Sequence, residues 1–183
     1  MTVFTRLFLS LLALAVAPNA WAAREAQVRD GIEFSVSARA PEQLAAFYSA
    51  RGVPQAAIAE ITKTCFLTVG VHNKSRDVLW LELANWRFED EAGQPVLRIA
   101  RETWEKTWER LGVPLASRAT FGWTQLPESR DLQPEEPVGG NVAVVAPPGT
   151  FKLIAKFRTG ADGKGAPIEM RVNNLSCPAG THP

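Results

Sequence analysis

A chain of 183 residues with 46% hydrophobic and 21% charged side chains has the makeup of one globular domain. That makeup excludes wholesale disorder, a collagen-like repeat and a polytopic membrane protein. Lys plus Arg number 20 against 19 for Asp plus Glu, so no strong field draws nucleic acid or an anionic surface.

Residues 1–22 predict a secretory signal peptide. Arg6 supplies the positive start, Leu7 to Ala17 the apolar run, Pro18 and Asn19 the helix break, and Ala20-Trp21-Ala22 a small-x-small cleavage site. The run is short for a membrane span. Cutting after Ala22 removes Arg6 and leaves residues 23–183 as one domain with balanced charge. The expected location is the periplasm or the exterior, with no membrane insertion after cleavage. An oxidising compartment would pair Cys65 with Cys177, the only two cysteines. Without a C-x-x-C spacing, the pair has no redox-catalytic signature.

Residues 23–30 are polar and read as frayed. Gly31 to Ala38 alternates, with Ile32, Phe34 and Val36 on one face, and predicts a half-buried strand. Pro41 to Ala50 and Pro54 to Lys63 predict short helices. Pro41 suits a first helical position, and Gly52 can end the first helix.

Cys65 to His72 and Val78 to Phe88 carry the strongest strand signal. A polar stretch, Asn73 to Asp77, separates them and predicts a hairpin. In the second strand Leu79, Leu81 and Leu83 share one face. Trp80, Glu82 and Trp86 share the other, half-covered face, where Glu82 is expected to pair with Arg87 or Arg118. A short strand follows at Gln94 to Ile99. Arg101 to Leu111 is amphipathic, with Trp104, Trp108 and Leu111 on one helical face. Arg118 to Leu126 reads as a strand, and residues 127–140 as a long, Pro-stiffened acidic loop. Three strands complete the chain, at Asn141 to Ala146, Phe151 to Arg158 and Ile168 to Asn173.

Seven or eight strands with turn signals between them predict a mainly β fold, an antiparallel sandwich. Two or three short helices lie in the connections. The architecture is immunoglobulin-like only in outline. Cys65 and Trp80 are spaced suitably, but Cys177 is too distant, and the single Tyr, Tyr48, is nowhere near it.

Catalytic signatures are missing from the pattern. There is no G-x-S-x-G elbow, and His72 is the one histidine inside the fold, at a strand end. No spacing of His, Cys or Met suits a metal, and Glu89-Asp90-Glu91 lacks calcium-loop spacing. The glycines at 160, 163 and 165 are in the wrong order for a dinucleotide fingerprint. The sequence therefore predicts a protein without catalysis, cofactor or metal.

What remains is aromatic and charged surface. Trp and Arg are enriched where interfaces concentrate their energy, and a stiff loop loses little entropy on binding. The expected interface comprises Trp80, Trp86, Trp123, Arg87 and Arg118, with Glu128, Asp131, Glu135 and Glu136 from the acidic loop. The expected role is an accessory or assembly factor that binds another periplasmic or envelope protein. A glycan-binding module using exposed Trp is the alternative, and a hydrolase with paired carboxylates the third class.

Overall fold

The computed structural model describes residues 26–181, so the leader expected at 1–22 and His182 lie outside the described residues. The chain is a mainly β sandwich of two antiparallel sheets. A layer of four helices covers part of one outer face.

The first sheet begins with β1 (Gln27–Arg29) and β2 (Ile32–Arg39). Residues 23–30, expected to fray, thus contribute a strand. Asp30 and Gly31 turn the chain with φ of 50° and 76°, a two-residue Asp-Gly connection whose twist suits a tight hairpin. Helices α1 (Pro41–Ser49) and α2 (Gln55–Thr62) follow. Then β3 (Cys65–Asn73) pairs with β2 along its whole length.

The expected hairpin after β3 does not form. The next strand, β4 (Leu79–Glu82), joins the other sheet. Asn73 decides this. It is fully buried, and its amide nitrogen donates to the Asp77 carbonyl at 2.8 Å and the Leu132 carbonyl at 2.9 Å. Its amide oxygen accepts from the backbone N–H and the hydroxyl of Ser75. The polar stretch is an arch between sheets, pinned by one satisfied buried side chain.

The run after Val78 is not one strand either. A 3-10 turn at Leu83–Asn85 separates β4 from β5 (Arg87–Asp90). This interruption reverses the facing. Leu79, Leu81 and Leu83 point into the core as expected, but so do Trp86 and Phe88, while Trp80 stays outside.

From Gln94 to Ile99 only β6 (Arg98–Ile99) is a strand. Helix α3 (Arg101–Arg110) agrees with the pattern. The segment expected as a strand at 118–126 is instead helix α4 (Leu115–Trp123). Its Thr, Phe and Trp favour strands intrinsically. Tertiary packing overrides that preference, because Ser117 and Phe121, one helical turn apart, are both buried. The predicted loop 127–140 holds β7 (Ser129–Leu132) and the start of β8 (Pro137–Val144). Its free span is the short turn between them. Strands β9 (Phe151–Thr159) and β10 (Ile168–Leu175) finish the fold as expected.

The first sheet runs β1-β2-β3-β8-β6 and the second β10-β9-β4-β7, with β5 also on β9. Between them Phe34, Trp86 and Phe157 meet edge to face with centroids 5.7–6.0 Å apart, a favoured aromatic geometry. On the outer face of the first sheet Phe66 is fully buried under the helices. There Trp104 and Trp108 stack at 5.0 Å, and Phe121 meets both.

Cys65 and Cys177 are bonded, across a sequence separation of 112 residues. The bridge staples the start of β3 to the tail beyond β10. A loop of this size constrains the unfolded chain by about 4–5 kcal/mol in the chain-entropy account. Reduction, or a Cys65→Ala/Cys177→Ala double variant, is therefore expected to lower stability by about 2–5 kcal/mol. Urea unfolding with and without reductant measures this, and an unchanged midpoint would refute it.

Candidate functional site

The nine residues expected to form one interface lie in separate places. Trp86 sits in the sandwich core, 5% exposed. Trp80 lies on the outer face of the second sheet, half-buried, and its indole N–H donates to the Gly160 carbonyl at 2.8 Å. It holds the turn between β9 and β10, where Gly163 packs beside both Trp80 and Arg158. Glu82, beside it, pairs with Arg158 rather than with Arg87 or Arg118, and accepts from the Asn85 amide at 2.8 Å. Trp123 belongs to the helical layer on the far side of the sandwich. It is 85% exposed, the one exposed tryptophan among the described residues.

The charged candidates bind within the fold. Arg87 lies along β5, 3.6 Å from Glu89. Arg118 donates to the Val113 carbonyl at 2.8 Å and the Trp108 carbonyl at 3.4 Å, closing the C-terminal end of α3, where a cation is favoured. Glu128 serves the other end of the same helix. The α3 cap residue, Ala100, has no side chain to offer. The Glu128 carboxylate accepts the Arg101 backbone N–H at 3.1 Å and two Arg98 guanidinium contacts at 2.9 Å. Partial burial alone would raise this carboxyl, but the bonds from Arg98 and Arg101 and their charges outweigh it and hold it below the usual range.

Asp131 faces solvent on β7 opposite Trp80. Glu136 binds Arg130 and the Gln133 backbone N–H. Glu135 turns the chain with φ of 64°, and its N–H donates to the Asn73 carbonyl at 2.6 Å. His72 borders this turn, 3.9 Å from the carboxylates of both Glu33 and Glu135.

Two surface features stand apart from these charged residues. One is the outward face of α4. Leu115, Ala116, Ala119 and Trp123 are its exposed residues, and all are apolar. Leu115 and Trp123 stand two turns apart with Ala119 midway, on one face by helical spacing. Arg118, the only charge in the helix, is turned away toward α3.

The other feature was not visible in the sequence. Beyond Phe66 the outer face of the first sheet carries small polar residues: Ser37, Thr68 and Asn141 in one row, then Ser35, Gly70 and Gly139. Helix α1 walls this floor with Gln43, Leu44, Phe47 and Tyr48. Between wall and floor lies a groove of about 360 Å³. Arg39 Nε donates to Thr68 Oγ1 at 2.7 Å, and Thr68 in turn donates to Asn141 Oδ1 at 2.8 Å. The Tyr48 hydroxyl bonds Thr124 Oγ1 at 2.7 Å. Burial pushes the Tyr48 phenol above its ordinary value, against the opposing pull of Thr124, Gln125 and Asn141. These residues come from β2, α1, β3, the turn just after α4 and β8, so no local motif joins them.

Among the described residues no group of three His, Cys, Asp or Glu could hold a metal ion. None of their helices is long and apolar enough to cross a membrane.

No protein-family profile matches the chain, and neither does any curated protein. Solved structures of similar outline include the yjhA protein from Bacillus subtilis, at TM-score 0.44 and 14% identity over 72% of this chain and 77% of that one. The ycdA protein from the same organism gives 0.43 and 12% over 81% of this chain, but spans only 38% of its own length. A FixG-related protein from Vibrio parahaemolyticus gives 0.36 and 11% over 81% and 98%. These likenesses bear on outline, not on what the chain binds.

The Glu128 arrangement has a measurable consequence. A folded-state value below the unfolded one means that the unfolded chain binds more protons as acid is added. The contribution is present above the ordinary carboxylate range and is lost as pH falls through the lowered value. Glu128→Gln is expected to cost about 0.5–1 kcal/mol at neutral pH, screening by solvent included, and to flatten the acid limb of the stability profile. Chemical denaturation of both proteins across pH 2–7 tests it; parallel profiles would refute it.

Proposed function

We propose that this is an exported, non-catalytic binding protein that docks another protein of the cell envelope through the outward face of α4. The supporting observation is that face itself. Leu115 and Trp123 are 78% and 85% exposed, and the other exposed residues of the helix are Ala116 and Ala119. Isolated exposed apolar residues are ordinary, but a contiguous apolar face on a soluble domain marks an interaction site. The predicted leader and the Cys65–Cys177 bridge favour an oxidising compartment outside the cytoplasm.

The size of the face favours a different protein over a second copy. A nine-residue helix is about 13 Å long. Two such faces alone fall well short of the roughly 800 Å² that each partner of a stable complex covers. A larger partner with its own apolar surface can reach past α4 to neighbouring parts of the helical layer. Trp123 is the expected hot spot, with Leu115 the second anchor.

A photo-crosslinking residue at Ala119, installed in the native host, should capture one defined protein. The same residue at Lys156, exposed on the second sheet, should not. Trp123→Asp should abolish the Ala119 product, while Trp123→Ala changes folding stability by no more than about 0.5 kcal/mol. Equal capture from both positions, or a product that survives Trp123→Asp, would overturn the reading.

A further inference from the structure

The groove under α1 combines a polar end around Arg39 with an apolar wall. Arg39 uses Nε on the neutral Thr68 hydroxyl, and no carboxylate of the described residues forms an ion pair with it. Other partly covered arginines are matched: Arg98 by Glu128 and Arg158 by Glu82. The half-buried Arg39 guanidinium thus has no counter-charge within the described residues, and its two terminal nitrogens suit an anion in the groove.

The surrounding groups point the same way. Thr68 gives its proton to Asn141 Oδ1, so both oxygens are engaged. Gln43 Oε1 accepts the Ala40 backbone N–H at 3.2 Å, leaving its Nε2 without a partner among the described residues. The groove therefore offers a ligand two guanidinium nitrogens of Arg39 and the amide nitrogen of Gln43 as N–H donors. The cationic fork of Arg39 favours an anion, and its planar geometry matches a carboxylate.

The site is also preorganised and has an apolar side. The Thr68–Asn141 relay fixes the Arg39 head, so less freedom is lost on binding. Leu44 and Phe47 form the wall, with Phe47 38% exposed. Next to Thr68 and Asn141 along the sheet, Gly70 and Gly139 pair without side chains. The groove volume, about 360 Å³, lies within the roughly 300–1,000 Å³ typical of small-molecule sites.

We infer that this groove binds a small carboxylate bearing an apolar or aromatic group, with the carboxylate on Arg39 and Gln43 and the apolar part against Phe47. Two sources share that chemistry: a free organic acid, or the C-terminal carboxylate of a peptide. The site is separate from the α4 face and does not depend on its role.

Titration of the disulfide-bonded protein, followed by amide chemical shifts, tests the inference with two probes. Benzoylglycine represents the free acid, and acetyl-Ala-Phe with a free C-terminus represents the chain end. At least one should move the amides of Thr68, Gly70 and Asn141 saturably, and the probe that binds identifies the source. Its neutral amide counterpart should bind at least about tenfold more weakly to the same wild-type protein. Arg39→Gln should lose a similar factor. Failure of both acids to shift these amides, or equal binding of acid and amide, would overturn the inference without recourse to any variant.

Discussion

Phe66 is the side chain on which the layered architecture turns. Its neighbours along β3, Cys65 and Leu67, face the sandwich interior and are fully buried. Phe66 must point the other way, because successive residues of a strand alternate. A fully exposed ring there would leave a large apolar surface in water, at roughly 1.5–3 kcal/mol. The helices remove it. Trp104 and Phe121 close over Phe66 at 6.1 and 6.3 Å, and Tyr48, Ile61 and Trp108 complete the cluster. A two-layer sandwich thereby becomes three layers over part of its length.

The helical layer in turn needs its ends satisfied. Helix α3 starts after Ala100 and is followed closely by α4, with no local side chain for its first N–H groups. Glu128, from the chain just ahead of β7, supplies an acceptor at the start. Arg118, from α4, supplies donors at the end. Both residues looked like interface material because charged and exposed residues share a composition. Their partners are distant in sequence, and this makes them structural. The acidic character of 127–140 has the same origin, since Glu136 answers Arg130 and Glu135 opens the turn beside Asn73.

With these residues engaged, the two surfaces proposed for binding are of another kind. The helical cover ends beyond Phe66 and Ala143, and the exposed floor past that border is Thr68, Asn141 and the paired glycines Gly70 and Gly139. The groove exists because the third layer is incomplete. The outward face of α4 exists because its inward face is occupied by Phe121. Both surfaces are by-products of how Phe66 is buried, and they differ in chemistry. One presents cationic and amide donors, the other bare apolar area. That contrast is why different kinds of ligand are proposed for them.

Period-two alternation in β2, β3, β9 and β10 and the helical spacing of Trp104 and Trp108 were enough to determine a mainly β fold with short helices, and two cysteines could make only one bridge. Those features are local or exhaustive, so a linear reading reaches them. The rest depended on which segments meet in space. A polar stretch after β3 is the same whether the chain turns back or crosses over; the burial of Asn73 between the sheets decided for crossing. The Thr120-Phe121-Trp123 segment has strand propensity, yet packing over Phe66 made it helical. A 3-10 turn, which alternation cannot register, moved Trp86 from surface to core. Arg39, Thr68 and Asn141 became a site only when three strands were aligned, because register across a sheet is set by tertiary pairing and leaves no spacing to read along the chain.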